Sequence, residues 1–201
     1  MAYEVLKDTE KRFWIKDTQA QLRLDMHKTR TDIWLCAIKD LTTGWITTAS
    51  PFSKYPAAIS QLHLNNTTCL MESCAGLGGL MPQLTRLNGS RPGRLVVVDM
   101  VNYEAIRSFL ENINGYRTAP DEQTFFNTLI GRCEFMLGSE IELHNCTIKE
   151  ALQDPSLIGS VDVLVENHGP ASKSYRQKAH KRMDPAVYDP FLRPNGIKII
   201  N

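Results

Sequence analysis

The alternation of short apolar runs with amphipathic stretches predicts an α/β fold, with a doubly wound, mainly parallel sheet as its body. The apolar run Cys69–Met71 ends at Glu72 and is followed by a turn of small residues. A pattern with leucines and methionine three or four positions apart then predicts a helix. A second apolar run, Leu95–Val98, ends at Asp99. A strand–turn–helix–strand unit of this kind is typical of a site for a nucleotide-like ligand beyond the carboxyl ends of the strands.

The composition is that of an ordinary globular chain. Its 201 residues include 23 basic and 22 acidic side chains, so overall charge does not indicate a nucleic acid or a membrane surface as partner. No apolar run approaches the length of a transmembrane helix, and the charged N-terminal segment lacks a signal core. The five cysteines are scattered without metal-ligand spacing. We therefore expect reduced thiols, no metal site and an intracellular, cytoplasmic protein.

The chain is predicted to consist of an N-terminal extension, residues 1–49, packed on a core domain formed by residues 50–201. Within the extension, residues 11–29 predict a helix, and the segments around Trp34 and Trp45 predict strands on either side of a turn. Helices are then predicted over residues 50–64, 77–87, 101–115, 120–136, 147–155 and 172–192, the last interrupted at Pro185. Strands are predicted over residues 140–144, 161–165 and 196–201, in addition to the two apolar runs.

The charge before the glycine turn narrows the choice of ligand. A carboxylate at Glu72 would oppose a phosphate at the turn, and the lysine of a P-loop is absent. An acid followed by glycines suits a ligand that carries a positive group, and Asp99 suits the hydroxyls of a ribose. A glycine turn kept only for packing, or another nucleotide-binding enzyme, is the alternative.

The segment Glu72–Gly79, ESCAGLGG, resembles motif I of class I S-adenosylmethionine-dependent methyltransferases, written E/D-x-G-x-G-x-G. Cys74 stands at the first glycine position, and Asp99 falls where the family has the acid that ends its second strand. The resemblance implies a Rossmann-like sheet that apparently lacks the last two of the family's seven strands, and S-adenosylmethionine as cofactor. The residues that it implies for the cofactor are Glu72, Cys74, Gly76, Gly78, Gly79, Asp99, Met100, Asn145 and Cys146. The acid that often contacts adenine is missing at Asn145-Cys146.

The segment before motif I resembles that of RNA ribose 2′-O-methyltransferases, among them the FtsJ-like and viral mRNA-cap enzymes. Lys54 matches the first lysine of their Lys-Asp-Lys-Glu tetrad. Asn167 stands nearest the place of the aspartate, with Glu166 as a substitute if the register differs by one, and Lys198 is the lysine nearest the place of the second. The resemblance therefore implies Lys54, Asn167 and Lys198 as the catalytic set, with the glutamate missing.

A basic segment follows the fourth predicted strand. A positive stretch with an aromatic residue at the ligand edge suits a phosphate backbone, and solvated helix charges are the alternative. We therefore expect RNA, including capped mRNA, as the partner, and no membrane. A partner protein or a larger polyprotein is the expected further context. The expected compartment is the cytoplasm, including the cytoplasm of a virus-infected host cell. The RNA-binding candidates are Lys173, Arg176, Lys178, Lys181 and Arg182.

Two further functions stay open at this point. The segment Asn167–Pro170 resembles, more distantly, the (N/D)PP(Y/F) motif of amino-group methyltransferases, which implies transfer to a base or a protein side chain. Because Asn167 cannot ionise, a catalytically inactive, methyltransferase-like module that binds RNA or a protein is the third hypothesis.

Overall fold

The computed structural model describes residues 3–49, 62–87, 91–116, 119–166, 169–171 and 182–200. They belong to two compact units. The first consists of Met1–Ser53, Gly76–Gly79 and Val101–Leu137, and the second of Lys54–Ala75, Leu80–Met100 and Gly138–Asn201. The predicted division after residue 49 stays a prediction, and the predicted helix over 50–64 lies mostly outside the described residues.

The described elements follow one another along the chain as ten strands, four α-helices and two 3₁₀ helices. In order they are β1 (Tyr3–Thr9), β2 (Arg12–Asp17), β3 (Leu22–Lys28), β4 (Trp34–Asp40), β5 (Ile46–Ala49), β6 (Cys69–Ser73), α1 (Leu80–Leu87), β7 (Arg94–Val98), α2 (Tyr103–Ile113), a 3₁₀ helix (Asn114–Tyr116), α3 (Pro120–Met136), β8 (Glu142–His144), α4 (Ile148–Ala151), β9 (Val161–Glu166), a second 3₁₀ helix (Pro185–Phe191) and β10 (Leu192–Ile200).

The first unit is built on an antiparallel sheet in the order β1-β2-β3-β4-β5. Its strands alternate between buried and more exposed side chains, so that Phe13 and Ile15 are buried while Trp14 between them is half-exposed. The predicted helix over residues 11–29 is therefore wrong. Apolar residues recur there every second position, which is the period of a strand with one buried face.

The predicted fold class, a doubly wound and mainly parallel sheet as the body of the chain, is also wrong. The described residues form two separate sheets, one antiparallel and one parallel, each with five strands, and helices are few among these residues. The physical reason lies in the connections of the first sheet. Its strands follow one another through short turns, which can join only antiparallel neighbours.

Two helices of the first unit match their predicted ranges. Helix α2 begins after Asn102, whose side chain accepts a hydrogen bond from the Ala105 N–H. Helix α3 has Pro120 in its first turn, where a backbone N–H would have no acceptor within the helix, so that proline costs no hydrogen bond. Both predictions are confirmed. Each helix combines a regular spacing of apolar residues with a residue that is typical of a helix start.

The second unit contains the parallel sheet, in the order β10-β9-β6-β7-β8. Leu70 on β6 pairs with Leu95 on β7 and with Val163 on β9, so β6 is the central strand. The direction in which the chain adds strands reverses at β6. In an open parallel sheet, this reversal leaves a crevice at the carboxyl ends of the central strands.

No helix in the part of the chain that the structure describes is both long and apolar enough to cross a membrane.

Gly93, immediately before β7, allows a close approach of two backbone segments. A Cβ atom at this position would lie 1.9 Å from the Asn66 carbonyl oxygen, which is a backbone atom and cannot turn aside. We expect Gly93→Ala to lower the free energy of unfolding by about 2 kcal/mol or more, as measured by urea denaturation.

The matched control is Gly131→Ala in helix α3. A Cβ atom at Gly131 meets nothing within 4 Å, and alanine loses less backbone freedom than glycine in a helix, so this change should raise stability by about 0.5–1 kcal/mol. Equal effects of the two alanines would contradict the steric explanation.

Candidate binding site at the carboxyl ends of the parallel strands

Three neighbouring strands of the parallel sheet end in buried acids. Glu72 is the penultimate residue of β6, Asp99 directly follows β7, and Glu166 is the last residue of β9. Their exposed fractions are 2 %, 7 % and 0 %. Because the carboxyl ends of parallel strands meet at one edge, the three acids lie at the edge where the strand order reverses.

The sheet register divides these acids into two groups. Glu72 pairs with Val97 and Val165, whereas Ser73 pairs with Val98 and Glu166. Since directly paired residues share a face and successive residues alternate, Glu72 points to the face opposite that of Ser73 and Glu166. The edge therefore has two separate polar sites, one on each face of the sheet.

Glu72 is a buried carboxyl group with incomplete hydrogen bonding. Its Oε2 atom has no hydrogen-bond partner among the described residues, while the Met81 N–H donates to the carboxyl group. Burial, together with repulsion from Asp99, raises the pKa of Glu72 to about 8. At neutral pH this group holds a proton, and a nearby cation would favour its ionised form.

Hydrogen bonds continue beyond the strand ends and join the segments that follow them. The Cys74 N–H donates to the Val98 carbonyl over 2.9 Å, and the Asp99 N–H donates to the His144 carbonyl over 3.1 Å. The Asn145 Nδ2 group donates to the Asp99 carbonyl over 3.2 Å. Three residues implied by the resemblance, Cys74, Asp99 and Asn145, are thus held together at one edge.

Two other predicted cofactor residues, Met100 and Cys146, differ in how far they are buried. Met100 follows Asp99 and is 38 % exposed. Cys146 is half-buried and packs against the apolar cluster on the face of the sheet that also carries Met71 and Val98. Met100 is thus open to contact from solvent, whereas one side of Cys146 is covered by the protein core.

Cys74 has a left-handed backbone conformation, with φ of 56°. The family pattern has glycine at this position, which is the residue that adopts such a φ without strain. Burial, reinforced by Asp99, raises the pKa of the Cys74 thiol to about 12. The thiol is therefore protonated at neutral pH and is not a nucleophile.

The glycines of the turn, Gly76, Gly78 and Gly79, belong to the first unit. Gly76 has φ of 53°, and a Cβ atom there would lie 2.6 Å from Thr47 Oγ1. The Tyr103 hydroxyl donates to the Gly76 carbonyl over 3.0 Å. Gly78 and Gly79 follow in the same segment. Packing within the first unit thus supplies a reason for Gly76 that does not involve a ligand.

A buried network that the sequence did not indicate occupies the opposite face of the sheet. The Ser73 hydroxyl donates to the Tyr188 hydroxyl over 3.2 Å, Tyr188 hydrogen-bonds to Glu166, and Glu166 Oε1 accepts from the Ala171 N–H over 2.8 Å. Ser73, Tyr188 and Glu166 are each 0 % exposed, and burial raises the pKa of Tyr188. Gly169 packs so closely that a Cβ atom would lie 2.7 Å from the Glu166 carboxyl carbon.

The predicted catalytic and RNA-binding residues are described only in part. Lys54 and Asn167 lie outside the described residues, as do Lys173, Arg176, Lys178 and Lys181. Lys198 lies inside β10, opposite Leu164, where its ammonium group donates to the Pro185 carbonyl over 2.8 Å and pairs with Asp189. Arg182 is exposed, and its Nε donates to the Ala171 carbonyl over 3.1 Å.

Among the described residues, no group of three or more His, Cys, Asp or Glu side chains is arranged to hold a metal ion. No protein-family model matches the sequence, and no curated protein sequence matches it.

Proposed function

We propose that the second unit binds S-adenosylmethionine beside Glu72 and Asp99, and that the protein is a methyltransferase acting on RNA, at a ribose 2′-hydroxyl of a cap or of an internal nucleotide. The observation that carries the proposal is the buried Glu72 carboxyl group, whose Oε2 lacks a hydrogen-bond partner, at the edge where the strand order reverses. Such a group is unfavourable in a protein without a ligand, because a buried polar atom that lacks a hydrogen-bond partner costs free energy.

The chemistry of the donor set fits this cofactor. S-adenosylmethionine, when bound, supplies an electrophilic methyl group and carries positive charge on its sulfonium and amino groups. A cation near Glu72 would favour its ionised form and supply the missing partner of Oε2. Asp99, held by the His144 carbonyl and by Asn145, would accept hydrogen bonds from ribose hydroxyls.

The assignment of an RNA hydroxyl as acceptor rests on the resemblance at Lys54. An attacking hydroxyl must lose its proton as the new bond forms, and a lysine with a lowered pKa can assist this step. Lys198 is not carried into the proposal as that group, because it already donates to Pro185 and pairs with Asp189. The basic residues from Lys173 to Arg182 would contact the phosphates.

A non-catalytic binding module is the second candidate. The engagement of Lys198 in contacts within the second unit favours it, because the second lysine of the catalytic set is then not available at the ligand edge. Such a module would bind the cofactor or RNA without transferring a methyl group.

Binding of the cofactor is tested by titration calorimetry with S-adenosylmethionine and with its demethylated product. We expect Asp99→Ala to weaken binding at least tenfold, because the substitution removes the acceptor for the ribose hydroxyls. The control Glu134→Ala changes an exposed acid of the first unit and should leave the affinity within twofold. If the unmodified chain binds neither compound, methyl transfer to a ribose hydroxyl and methyl transfer to a nitrogen are both excluded.

Transfer is tested with a labelled methyl donor and capped RNA. The proposal expects labelled RNA, loss of labelling in Lys54→Ala, and no labelling of RNA already methylated at every ribose 2′-oxygen. Labelling of that blocked RNA would indicate a nitrogen acceptor instead. Cofactor binding without any transfer would favour the non-catalytic module.

A further inference from the structure

The antiparallel sheet of the first unit has a second face that its apolar core does not use. Phe13, Leu24 and Ile38 represent the buried face. Residues directly opposite one another in neighbouring strands point to the same side of a sheet, so the pairing defines the other side, which we call the open face. From β1 to β5 its three rows are Glu4, Lys16, Arg23, Lys39 and Ile46; Lys7, Trp14, Asp25, Ala37 and Thr48; and Thr9, Arg12, His27 and Leu35.

The first row sets three cations side by side. Lys16 lies opposite Arg23, and Arg23 lies opposite Lys39. Neighbouring strands are only about 4.8 Å apart, and like charges directly opposite one another destabilise a sheet. Lys16 has an ion pair with Glu4 at 4.0 Å, but neither Arg23 nor Lys39 has one among the described residues. A row that weakens the fold in this way is expected where the surface binds an anion.

The second row contains an aromatic ring, which lies against two other cations. Trp14 is half-exposed, with the Arg12 guanidinium 4.1 Å and the Lys7 ammonium 5.9 Å from the ring centroid. Asp25 pairs with Arg12 at 3.4 Å. The two acids of the open face are therefore both paired, and Arg23 and Lys39 keep an uncompensated positive charge in the row next to that of Trp14.

We propose that the open face binds single-stranded RNA, with a base stacked on Trp14 and phosphates along Lys16, Arg23 and Lys39. This inference rests on the proposed function, since it identifies a second surface for the RNA acceptor. A positive surface that follows the backbone, combined with an aromatic ring on which a base stacks, is the general means of binding single strands without sequence preference. An acidic protein segment would satisfy the cations but has no need of the half-exposed Trp14 ring in the next row.

The test measures binding of a fluorescent single-stranded RNA oligonucleotide to the full chain, by anisotropy, between 50 and 200 mM salt and without a methyl donor. Trp14→Leu should weaken binding at least fivefold through loss of stacking. Arg23→Glu should weaken binding at least tenfold and make the salt dependence shallower, because fewer phosphates are neutralised. The matched control Lys149→Glu, at an exposed position of helix α4 in the second unit, should stay within twofold.

A stability measurement separates lost binding from lost folding. Arg23→Glu places an acid between Lys16 and Lys39, so the urea midpoint of this variant should rise while RNA affinity falls. A lowered midpoint together with lost binding would overturn the inference, because misfolding would then explain the loss.

Two further results would also overturn the inference. One is RNA binding that neither Trp14→Leu nor Arg23→Glu changes. The other is competition by poly-glutamate as effective as that of unlabelled RNA, which would indicate an acidic protein partner. If the first result occurs while cofactor binding and transfer persist, only this inference fails. If cofactor binding is absent while both variants lose RNA affinity, the inference holds and the proposed methyl transfer fails.

Discussion

Replacing Glu72 by glutamine is expected to stabilise the protein at pH 8 and, at the same time, to abolish binding of S-adenosylmethionine. The pKa of Glu72 is raised from 4.5 to about 8, first by burial and then by Asp99. The folded state therefore keeps a proton that the unfolded chain releases above pH 4.5. The stability associated with Glu72 is fully present below pH 4.5 and is lost as the pH rises towards 8.

Glutamine is permanently neutral, so the variant should not lose this stability. One pKa unit corresponds to about 1.4 kcal/mol. At pH 8, we expect the free energy of unfolding of Glu72→Gln to exceed that of the unmodified chain by at least about 2 kcal/mol. At pH 4.5, the two proteins should differ little in stability. Urea denaturation across this pH range measures the effect, and calorimetry with the cofactor measures the loss of binding.

A second buried glutamate supplies the control. Glu122 is 4 % exposed and lies where its charge acts on Lys28. Glu122→Gln removes that attraction and should not stabilise the protein at any pH. If Glu72→Gln instead lowers stability at pH 8, Glu72 serves the fold, and its assignment to a ligand site is wrong.

Replacing Tyr188 by phenylalanine is expected to lower the free energy of unfolding by about 2 kcal/mol. The substitution keeps the ring and removes the hydroxyl that lies between Ser73 and the Glu166 carboxyl group. A buried acceptor that loses its donor costs about 1–3 kcal/mol, and Glu166 is 0 % exposed, so water does not replace the lost donor. Urea denaturation at neutral pH measures the change.

Tyr103→Phe is the matched control in the first unit. Tyr103 is equally buried, and its hydroxyl donates one bond of 3.0 Å to the neutral Gly76 carbonyl. Its loss should lower stability by about 1 kcal/mol. An effect at Tyr188 no larger than that at Tyr103 would mean that the carboxyl group does not depend on the Tyr188 hydroxyl.

Two helices of the first unit, α2 and α3, and the apolar strands β6, β7 and β9 of the second unit were predicted from local patterns of apolar residues. Helix α3 spans its predicted range because Pro120 marks its start and the apolar period holds through Met136. In the antiparallel sheet, strands β4 and β5 were predicted around Trp34 and Trp45. Strands β2 and β3 were not predicted, since the turn between them has no glycine or proline. Instead, Asp17 accepts hydrogen bonds from the Gln19 and Ala20 N–H groups, and Gln21 takes φ of 55°.

The candidate site also has one part that the sequence predicted and one part that only the structure showed. Glu72 and Asp99 stood out in the sequence because each follows an apolar run, and strand ends are set by local patterns. The network on the other face has no local signal, because Ser73 and Tyr188 are 115 residues apart. Their contact depends on which strands are neighbours, a property that short-range periodicity does not encode.

By itself, therefore, the sequence determined the ranges of helices α2 and α3 and of strands β6, β7 and β9, and which acids end those strands. Only the tertiary structure decided that the strands between Tyr3 and Ala49 pair as one antiparallel sheet, that Lys198 is engaged with Asp189, and that three cations lie side by side on one face. The physical reason is that local elements follow from the period of apolar residues, whereas strand pairing follows from burial and hydrogen bonding between segments far apart in the chain.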